Sequence, residues 1–253
     1  MPYRFATERP DYSDLASGRV FYNLPGYPAF PIRLADEIFQ RCLAIRKTNH
    51  LIEPCTIYDP CCGAAYHLSV LAYLHWKSLR EIIGSDVNTD AVRMAQKNLV
   101  LLRSTGMNQR VNEISEMLQL YGKASHQGAL ASAHRLQDRI TTLAASHPIK
   151  TRTFQANALD QAQLQENLKG VAADIVFADV PYGQHTQWQR PTSAGELQNP
   201  LWQMLDALSG VLLPTSIVAI AYDKGQKASH ERYQRLEQFQ VGKRRIVILK
   251  PNI

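Results

Sequence analysis

The chain has 253 residues, of which 45% are hydrophobic and 20% are charged, a balance typical of one soluble globular domain with a large core. It contains no run of roughly eighteen or more apolar residues, so we expect no membrane span. Residues 1–10 lack the apolar stretch of a secretory signal. We therefore expect a cytoplasmic protein that acts as a monomer.

The net charge of +6 is concentrated near the end of the chain. The stretch 224–253 contains eight basic and two acidic residues, which accounts for the whole excess. Its densest part is Lys243-Arg244-Arg245. A basic patch is typical of proteins that bind a polyanion, although a merely solvated face has the same composition. We expect these three side chains to contact the phosphates of a nucleic acid.

The four cysteines are Cys42, Cys55, Cys61 and Cys62. No two of them are spaced as C-x-x-C, the arrangement that typically holds zinc. We therefore expect reduced thiols and no metal site.

The first predicted elements alternate between strands and helices. Residues 1–31 are rich in proline and glycine, which predicts an irregular extension. Apolar residues at helical spacing predict a helix over 32–47. A short apolar run at 56–59 predicts a strand that ends in an acid, and the small residues at 61–65 predict a turn into a second helix. A second strand over 82–86 also ends in an acid and precedes a third helical pattern.

Residues 105–149 interrupt this alternation. Two helical stripes of apolar residues flank a polar stretch at 122–128, which predicts a helical hairpin with its loop there. The remaining predicted elements are strands over 151–155, 174–179, 216–222, 236–241 and 245–249, and a helix over 200–212.

The alternation of strand, turn and helix predicts βαβ units, and hence a parallel sheet with helices on both faces. The last two strands are joined by Gly242-Lys243, so we expect an antiparallel hairpin at one edge. The predicted fold is a Rossmann-like α/β domain with a mostly parallel seven-stranded sheet. It spans 1–253 as a single domain, with an amino-terminal extension and helix (1–48) and a helical insertion (105–149).

The ends of the first three strands suggest a cofactor site, because ligands of open parallel sheets bind beyond the carboxyl ends of the strands. Asp86 lies 23 residues after Gly63, a spacing that suits an acceptor for ribose hydroxyls. The turn lacks the G-x-G-x-x-G pattern of dinucleotide sites, which favours an adenosine-containing ligand without phosphates, commonly S-adenosylmethionine. An ordinary turn with a surface acid is the alternative. The candidate cofactor residues are Asp59, Cys61, Gly63, Ala64, Asp86, Val87, Asn157 and Ala158.

A second motif, at 179–183, directly follows the fourth predicted strand. It resembles the D/N-P-P-Y/F motif of methyltransferases that act on base nitrogens or glutamine amides. The Asp179 carboxylate and a nearby carbonyl can accept hydrogen bonds from the target nitrogen, and Tyr182 offers a face on which a base can stack. A strand exit stabilised by proline and glycine is the alternative. The candidate catalytic residues are Asp179, Pro181 and Tyr182.

Four segments together, 3–10, 26–31, 58–63 and 179–183, resemble the AviRa family, antibiotic-resistance enzymes that methylate a guanine of 23S rRNA. The similarity extends from the amino terminus to at least Gly183. It implies a class I methyltransferase fold, S-adenosylmethionine as methyl donor, and 23S rRNA or the large ribosomal subunit as partner.

The resemblance assigns roles to individual residues. Asp59, Cys61 and Gly63 match the cofactor loop, Asp86 matches the ribose acid, and 179–182 matches the catalytic loop. After the loop glycine the family tends toward Ser-Gly, whereas this chain has Ala64-Ala65. A positive φ at the second alanine would be strained and would lower cofactor affinity.

Some alternatives stay open at the level of sequence. The methylated atom stays open between two nitrogens of guanine. The resemblance to the family implies N1, whereas the catalytic loop also resembles that of enzymes that methylate N2. A protein-glutamine methyltransferase of release factors has a similar loop, but the basic carboxyl end and Asp179 count against it. A non-catalytic RNA-binding protein on the same fold is favoured only by Ala64-Ala65.

Overall fold

The computed structural model describes residues 3–181, 188 and 199–252, which form a seven-stranded sheet between two layers of helices. The strands are β1 (Cys55–Asp59), β2 (Leu79–Asp86), β3 (Lys150–Gln155), β4 (Ile175–Asp179), β5 (Ile217–Asp223), β6 (Tyr233–Val241) and β7 (Arg244–Pro251). The helices in this part of the chain are α1 (Ile32–Thr48), α2 (Tyr66–His75), α3 (Thr89–Val100), α4 (Ser104–Tyr121), α5 (Ala124–Ser146), α6 (Gln161–Asn167) and α7 (Pro200–Ser209).

The strand order is β3-β2-β1-β4-β5-β7-β6. Strands β1 to β5 run parallel, whereas β7 is antiparallel to both of its neighbours. This confirms the predicted Rossmann-like sheet with an antiparallel hairpin at one edge. The chain reverses its direction of travel across the sheet between β1 and β4, the point at which such folds open a crevice beyond the strand ends.

Successive strand residues enter opposite layers of the core. Ile57 packs in the layer of α1, α2 and α3, whereas its neighbour Tyr58 packs in the layer of α6 and α7. The central strands are buried along nearly their whole length, as their continuous apolar runs predict for a sheet covered on both faces. The sheet is therefore a rigid base for the loops at its carboxyl edge.

The predicted helical insertion is present, but the prediction of its loop over 122–128 is wrong. Helix α5 begins at Ala124, so the connection consists of Gly122 and Lys123. Gly122 has a φ of 59° and its N–H donates to Leu118, which ends α4 as a glycine cap without strain. The polar residues after Lys123 form the exposed first turns of α5, and polar composition alone does not distinguish such a surface from a loop.

Some element ends also differ from the predictions. Helix α6 was not predicted, because its seven residues carry only Leu164 as a buried side chain; Asp160 caps it by accepting the N–H of Gln163. Strand β6 begins three residues before the predicted 236–241, because an irregular register between Arg235 and Glu237 breaks the alternation of its side chains.

The amino-terminal extension is irregular, as predicted, and a buried carboxylate of α1 anchors it. Glu37 accepts the backbone N–H groups of Arg4, Phe5 and Ala6 at 2.7 to 2.8 Å. These hydrogen bonds and the nearby Arg41 hold the pKa of Glu37 below its ordinary value, although burial raises it. The start of the extension is therefore fixed against α1. Among the described helices, none has the length and apolar character that a bilayer crossing demands.

Candidate active site

A cleft of about 610 Å³ lies at the carboxyl ends of β1, β2 and β4. The amino-terminal extension forms one wall with residues 22–30, and the loops after the strands form the other. The volume suits a nucleoside-sized ligand. All eight predicted cofactor residues except Asp59 line it, and so do Asp179 and Pro181.

The loop after β1 is fixed by hydrogen bonds between its own backbone and two acids. Asp59 is fully buried, and its Oδ1 accepts the N–H of Cys61 at 2.8 Å. The N–H of Gly63 donates to Oδ2 of Asp86 at 2.9 Å, which ties the loop to the end of β2. Asp59 thus supports the loop from below instead of lining the cleft.

Gly63 cannot be replaced by a larger residue without disturbing this wall. Its φ is 52°, and a Cβ there would come within 2.9 Å of the Tyr27 ring. The Tyr27 hydroxyl in turn accepts a hydrogen bond from the side chain of Asn88. The glycine therefore lets the extension pack directly onto the loop.

Asp86 is held in one orientation by two backbone donors, Gly63 to Oδ2 and Asn88 to Oδ1, each at 2.9 Å. Burial raises its pKa above the ordinary value. A carboxylate has about four acceptor sites, so these two bonds leave capacity for ribose hydroxyls. Val87, which follows it, also lines the cleft.

Asn157 and Ala158 line the cleft after β3, but the Asn157 side chain also has a structural role. Its Oδ1 accepts the N–H of Leu159, and its backbone N–H donates to Gln163. These contacts form the turn that leads into α6. The asparagine therefore presents a fixed surface to the cleft.

Ala65 has a positive φ, the conformation that would be strained for an alanine at this position. Its φ is 52° and its ψ is 30°, in the left-handed region, and its N–H donates to Cys62 at 2.7 Å. This conformation costs an alanine about 1–2 kcal/mol relative to a glycine. Ala65 is fully buried at the start of α2, so packing holds it there.

The predicted catalytic loop begins at a half-buried acid. Asp179 ends β4 with 17% of its side chain exposed. The loop then leaves the sheet through Val180, whose N–H donates to Ala221, and through Pro181, whose carbonyl accepts the side-chain amide of Gln226. Tyr182, the predicted stacking residue, lies outside the described residues.

His67 was missed by the sequence analysis, although it lines the cleft and is almost fully buried. Its Nε2 lies 3.2 Å from Oδ2 of Asp59, and its ring packs between Phe30 and Phe177. Burial lowers the pKa of His67, but the carboxylate outweighs burial, so the pKa is raised. A histidine among the mostly apolar residues at the start of α2 was the signal that could have revealed this pair.

The cysteines do not supply a nucleophile or a metal site. All four are free, as predicted. Burial raises the pKa values of the Cys61 and Cys62 thiols, which keeps them neutral. Within the described residues no cluster of histidine, cysteine and acidic side chains could hold a metal ion.

The basic cluster differs from the expected turn of three cations. Lys243 lies in the turn and is exposed, whereas Arg244 and Arg245 begin β7 and therefore point to opposite faces of the sheet. Arg244 reaches toward the cleft, with Nε 4.0 Å from Oδ1 of Asp179. Lys243 therefore lies at the surface, whereas Arg244 lies beside the first residue of the predicted catalytic loop.

Comparison with known proteins places the chain in a family. The family model described as rRNA methyltransferase AviRa matches residues 1–244. A 23S rRNA (guanine(2535)-N(1))-methyltransferase from Streptomyces viridochromogenes is 40% identical over 248 residues, which cover 98% of this chain and 95% of the relative.

Solved structures agree with this assignment. The rRNA methyltransferase aviRa from Streptomyces viridochromogenes superposes with a TM-score of 0.87 at 37% identity, over 100% of this chain and 97% of the other. The Escherichia coli protein yhhF, named as a methyltransferase, shares the fold with a TM-score of 0.50 at 15% identity, over 90% of each chain. The chain therefore belongs to the AviRa family of rRNA methyltransferases.

Proposed function

We propose that this protein transfers a methyl group from S-adenosylmethionine to N1 of a guanine in 23S rRNA. The observation that carries the proposal is the position of Asp179 in the same cleft as Gly63 and Asp86. A carboxylate that can accept a base proton thus lines the same cleft as the candidate site for an adenosine cofactor. The name of the 40% identical relative supports N1 over N2, the two atoms that the sequence leaves open.

The residues of the cleft fit the proposed cofactor. Gly63 lets Tyr27 of the opposite wall pack against the loop, because a Cβ there would come within 2.9 Å of the Tyr27 ring, and two backbone donors orient the Asp86 carboxylate. Asp86 would hold the ribose hydroxyls, and Asn157 with Ala158 would border the adenine. S-adenosylmethionine supplies an electrophilic methyl group when bound.

The contribution of Asp179 follows from the chemistry of guanine N1. This nitrogen carries a proton and has no free lone pair in the plane of the ring while it is protonated. A carboxylate within hydrogen-bonding distance can accept that proton and so expose the lone pair. Asp179 is half-buried at a strand end, where its orientation is fixed by the sheet.

The RNA would approach the carboxyl edge of the sheet, where Lys243 is exposed beside the catalytic loop. A lysine there would contact phosphates and position the RNA without reading its bases. A methyl group on a guanine that a drug contacts would weaken binding of that drug, which is the route by which the reaction would confer resistance.

The test is to incubate purified protein with 23S rRNA and with isolated large subunits, using labelled S-adenosylmethionine, and to map the product by mass spectrometry. We expect 1-methylguanine at one position in the wild-type reaction and almost none with Asp179→Asn. A product of 2-methylguanine would overturn the assignment of N1. Label in a release-factor glutamine and none in RNA would overturn the RNA substrate.

A further inference from the structure

Arg244 begins β7 at the edge of the sheet where the base would bind. Strand β7 is antiparallel to β5, and Arg244 pairs with Asp223, the last residue of β5. The first residue of β7 therefore lies at the carboxyl edge, next to the end of β4. Its Nε is 4.0 Å from Oδ1 of Asp179, and 27% of its side chain is exposed.

The cleft wall supports the guanidinium of Arg244. Its central carbon lies 5.3 Å from the centroid of the Phe30 ring, a cation–π arrangement. Phe30 is buried, lines the cleft and packs edge-on against Phe177. Among the residues that the structure describes, Arg244 contacts Phe30 and Asp179, which both line the cleft, whereas the adjacent Lys243 is exposed in the turn. Arg244 is therefore held against the wall of the cleft, where a bound base could reach it, and is not a fully solvated surface cation.

A neighbouring cation and carboxylate match one edge of guanine. Guanine presents the N1–H donor next to the O6 acceptor, so Asp179 can accept from N1 while Arg244 donates to O6. Adenine presents an amino donor where guanine has O6, and that donor would face the arginine N–H groups. The pair is thus complementary to guanine and opposes adenine.

We propose that Arg244 binds O6 of the target guanine and stabilises the negative charge that O6 gains in the reaction. When Asp179 accepts the N1 proton, the electron pair of the broken N–H bond is shared between N1 and O6. The N1 lone pair would then form the new N–C bond while the bond between the methyl carbon and the sulfonium sulfur of the donor breaks. The sulfur keeps that electron pair and leaves as the neutral thioether S-adenosylhomocysteine, and the proton stays on Asp179. Arg244 loses no proton in this step, and its positive charge stabilises the negative charge that develops on O6. The inference rests on the proposed function, because it assumes methylation at guanine N1.

The experiment compares Arg244→Gln and Arg244→Lys with the matched control Arg235→Gln. Arg235 lies on β6 opposite Leu249, toward the amino ends of the parallel strands, and its guanidinium donates to Gln238. Single-turnover methyl transfer to 23S rRNA is measured from pH 6.5 to 9, with cofactor binding by calorimetry and thermal unfolding to check the fold. We expect Arg244→Gln to be slower by about 10²-fold near pH 7.

The pH profile separates this role from a merely structural one. Alkaline solution ionises N1 without help from the enzyme, so the deficit of Arg244→Gln should shrink as pH rises. Arg244→Lys should retain part of the rate because it keeps the charge, and Arg235→Gln should react like the wild type. A deficit that is equal at every pH, or a rate like that of the control, overturns the inference.

The wild-type protein tests the proposed function separately. A wild-type protein that forms no 1-methylguanine overturns the proposed function and this inference together. A wild-type protein that forms it, beside an Arg244→Gln variant whose only defect is weaker RNA binding at high salt, overturns this inference alone. Arg244 would then be a phosphate contact.

Discussion

The cofactor side of the cleft (the loop 59–65 and the ends of β2 and β3) and its base side (the end of β4 and the β6–β7 turn) hold their carboxylates differently. On the cofactor side, Asp59 and Asp86 are buried and accept backbone N–H groups from the same loop. On the base side, Asp179 is partly exposed and lies opposite a side chain, Arg244. The cofactor side is therefore organised by backbone hydrogen bonds to its carboxylates, and the base side by a pair of side chains.

This difference predicts separable defects. A substitution on the base side should reduce catalysis while cofactor binding stays intact, because the backbone hydrogen bonds described for the loop 59–65 involve no residue of the base side. A substitution on the cofactor side should reduce binding or stability.

The largest effect is expected at Asp179. Asp179→Ala removes the acceptor of the N1 proton, so the rate of methyl transfer should fall by about 10²–10⁴-fold, the usual contribution of a positioned acid or base. Cofactor affinity, measured by calorimetry, should stay within about twofold. Asp90→Ala, which removes an exposed acid of α3, is the control for surface charge. A wild-type rate in Asp179→Ala would eliminate the base side as the catalytic site.

The second prediction concerns the buried pair of His67 and Asp59. His67→Phe leaves the Oδ2 of Asp59 buried without its partner, so the free energy of unfolding should drop by about 3–5 kcal/mol. Urea denaturation measures this loss. His134→Phe replaces an exposed histidine of α5 and should change stability little. Equal stability of the two variants would contradict the pairing.

The same pair makes the free energy of unfolding depend on pH, in a direction that follows from the shift of the His67 pKa. The pKa of His67 is raised above its ordinary value of 6.5, and the carboxylates of Asp59 and Asp179 both favour the charged ring. The stabilisation is therefore complete below pH 6.5 and is lost as the pH rises through the higher, folded-state pKa. Wild-type stability should decline over that interval above pH 6.5, and the decline should be absent in His67→Phe.

The third prediction tests the cofactor side. Asp86→Ala leaves the ribose hydroxyls and the Gly63 N–H without an acceptor, so cofactor affinity should weaken by about 1–3 kcal/mol, or roughly 5- to 150-fold. Because burial raises the pKa of Asp86, acidification should protonate it early and weaken binding in the wild type. The variant should lose that acid dependence. An unchanged titration in a folded Asp86→Ala protein would remove the site assignment.

The sequence predicted the cofactor side better than the base side, for a physical reason. Gly63, Asp86 and Asn157 follow strands whose order can be predicted from alternating patterns, so their shared edge follows from topology. The Asp59–His67 pair could not be predicted, because it depends on how α2 is rotated over β1. The different positions of Lys243 in the turn and Arg244 in the strand depend on the residue at which β7 begins. Element ends are the least certain feature of a sequence-based prediction.

The smallest effect is expected at Lys243, and it tests whether this lysine alone of the three basic residues contacts RNA phosphates. If all three cations contacted phosphates, replacing them would reduce the slope of log affinity for RNA against log salt concentration by nearly three units. Because Arg244 faces Asp179 and Arg245 points to the other face of the sheet, Lys243→Gln alone should reduce the slope by somewhat less than about one unit. The nucleotide that is methylated should stay the same, because a phosphate contact carries no base information.

The matched control for this measurement is Lys169→Gln. Lys169 is exposed after α6 and precedes β4, so it lies at the amino edge of the sheet, away from the cleft. Its replacement removes the same charge from the protein and should leave the slope unchanged. An identical decrease in both variants would mean that only the overall charge attracts the RNA. A decrease confined to Lys243→Gln would place the RNA backbone at the β6–β7 turn, beside the carboxylate that receives the base.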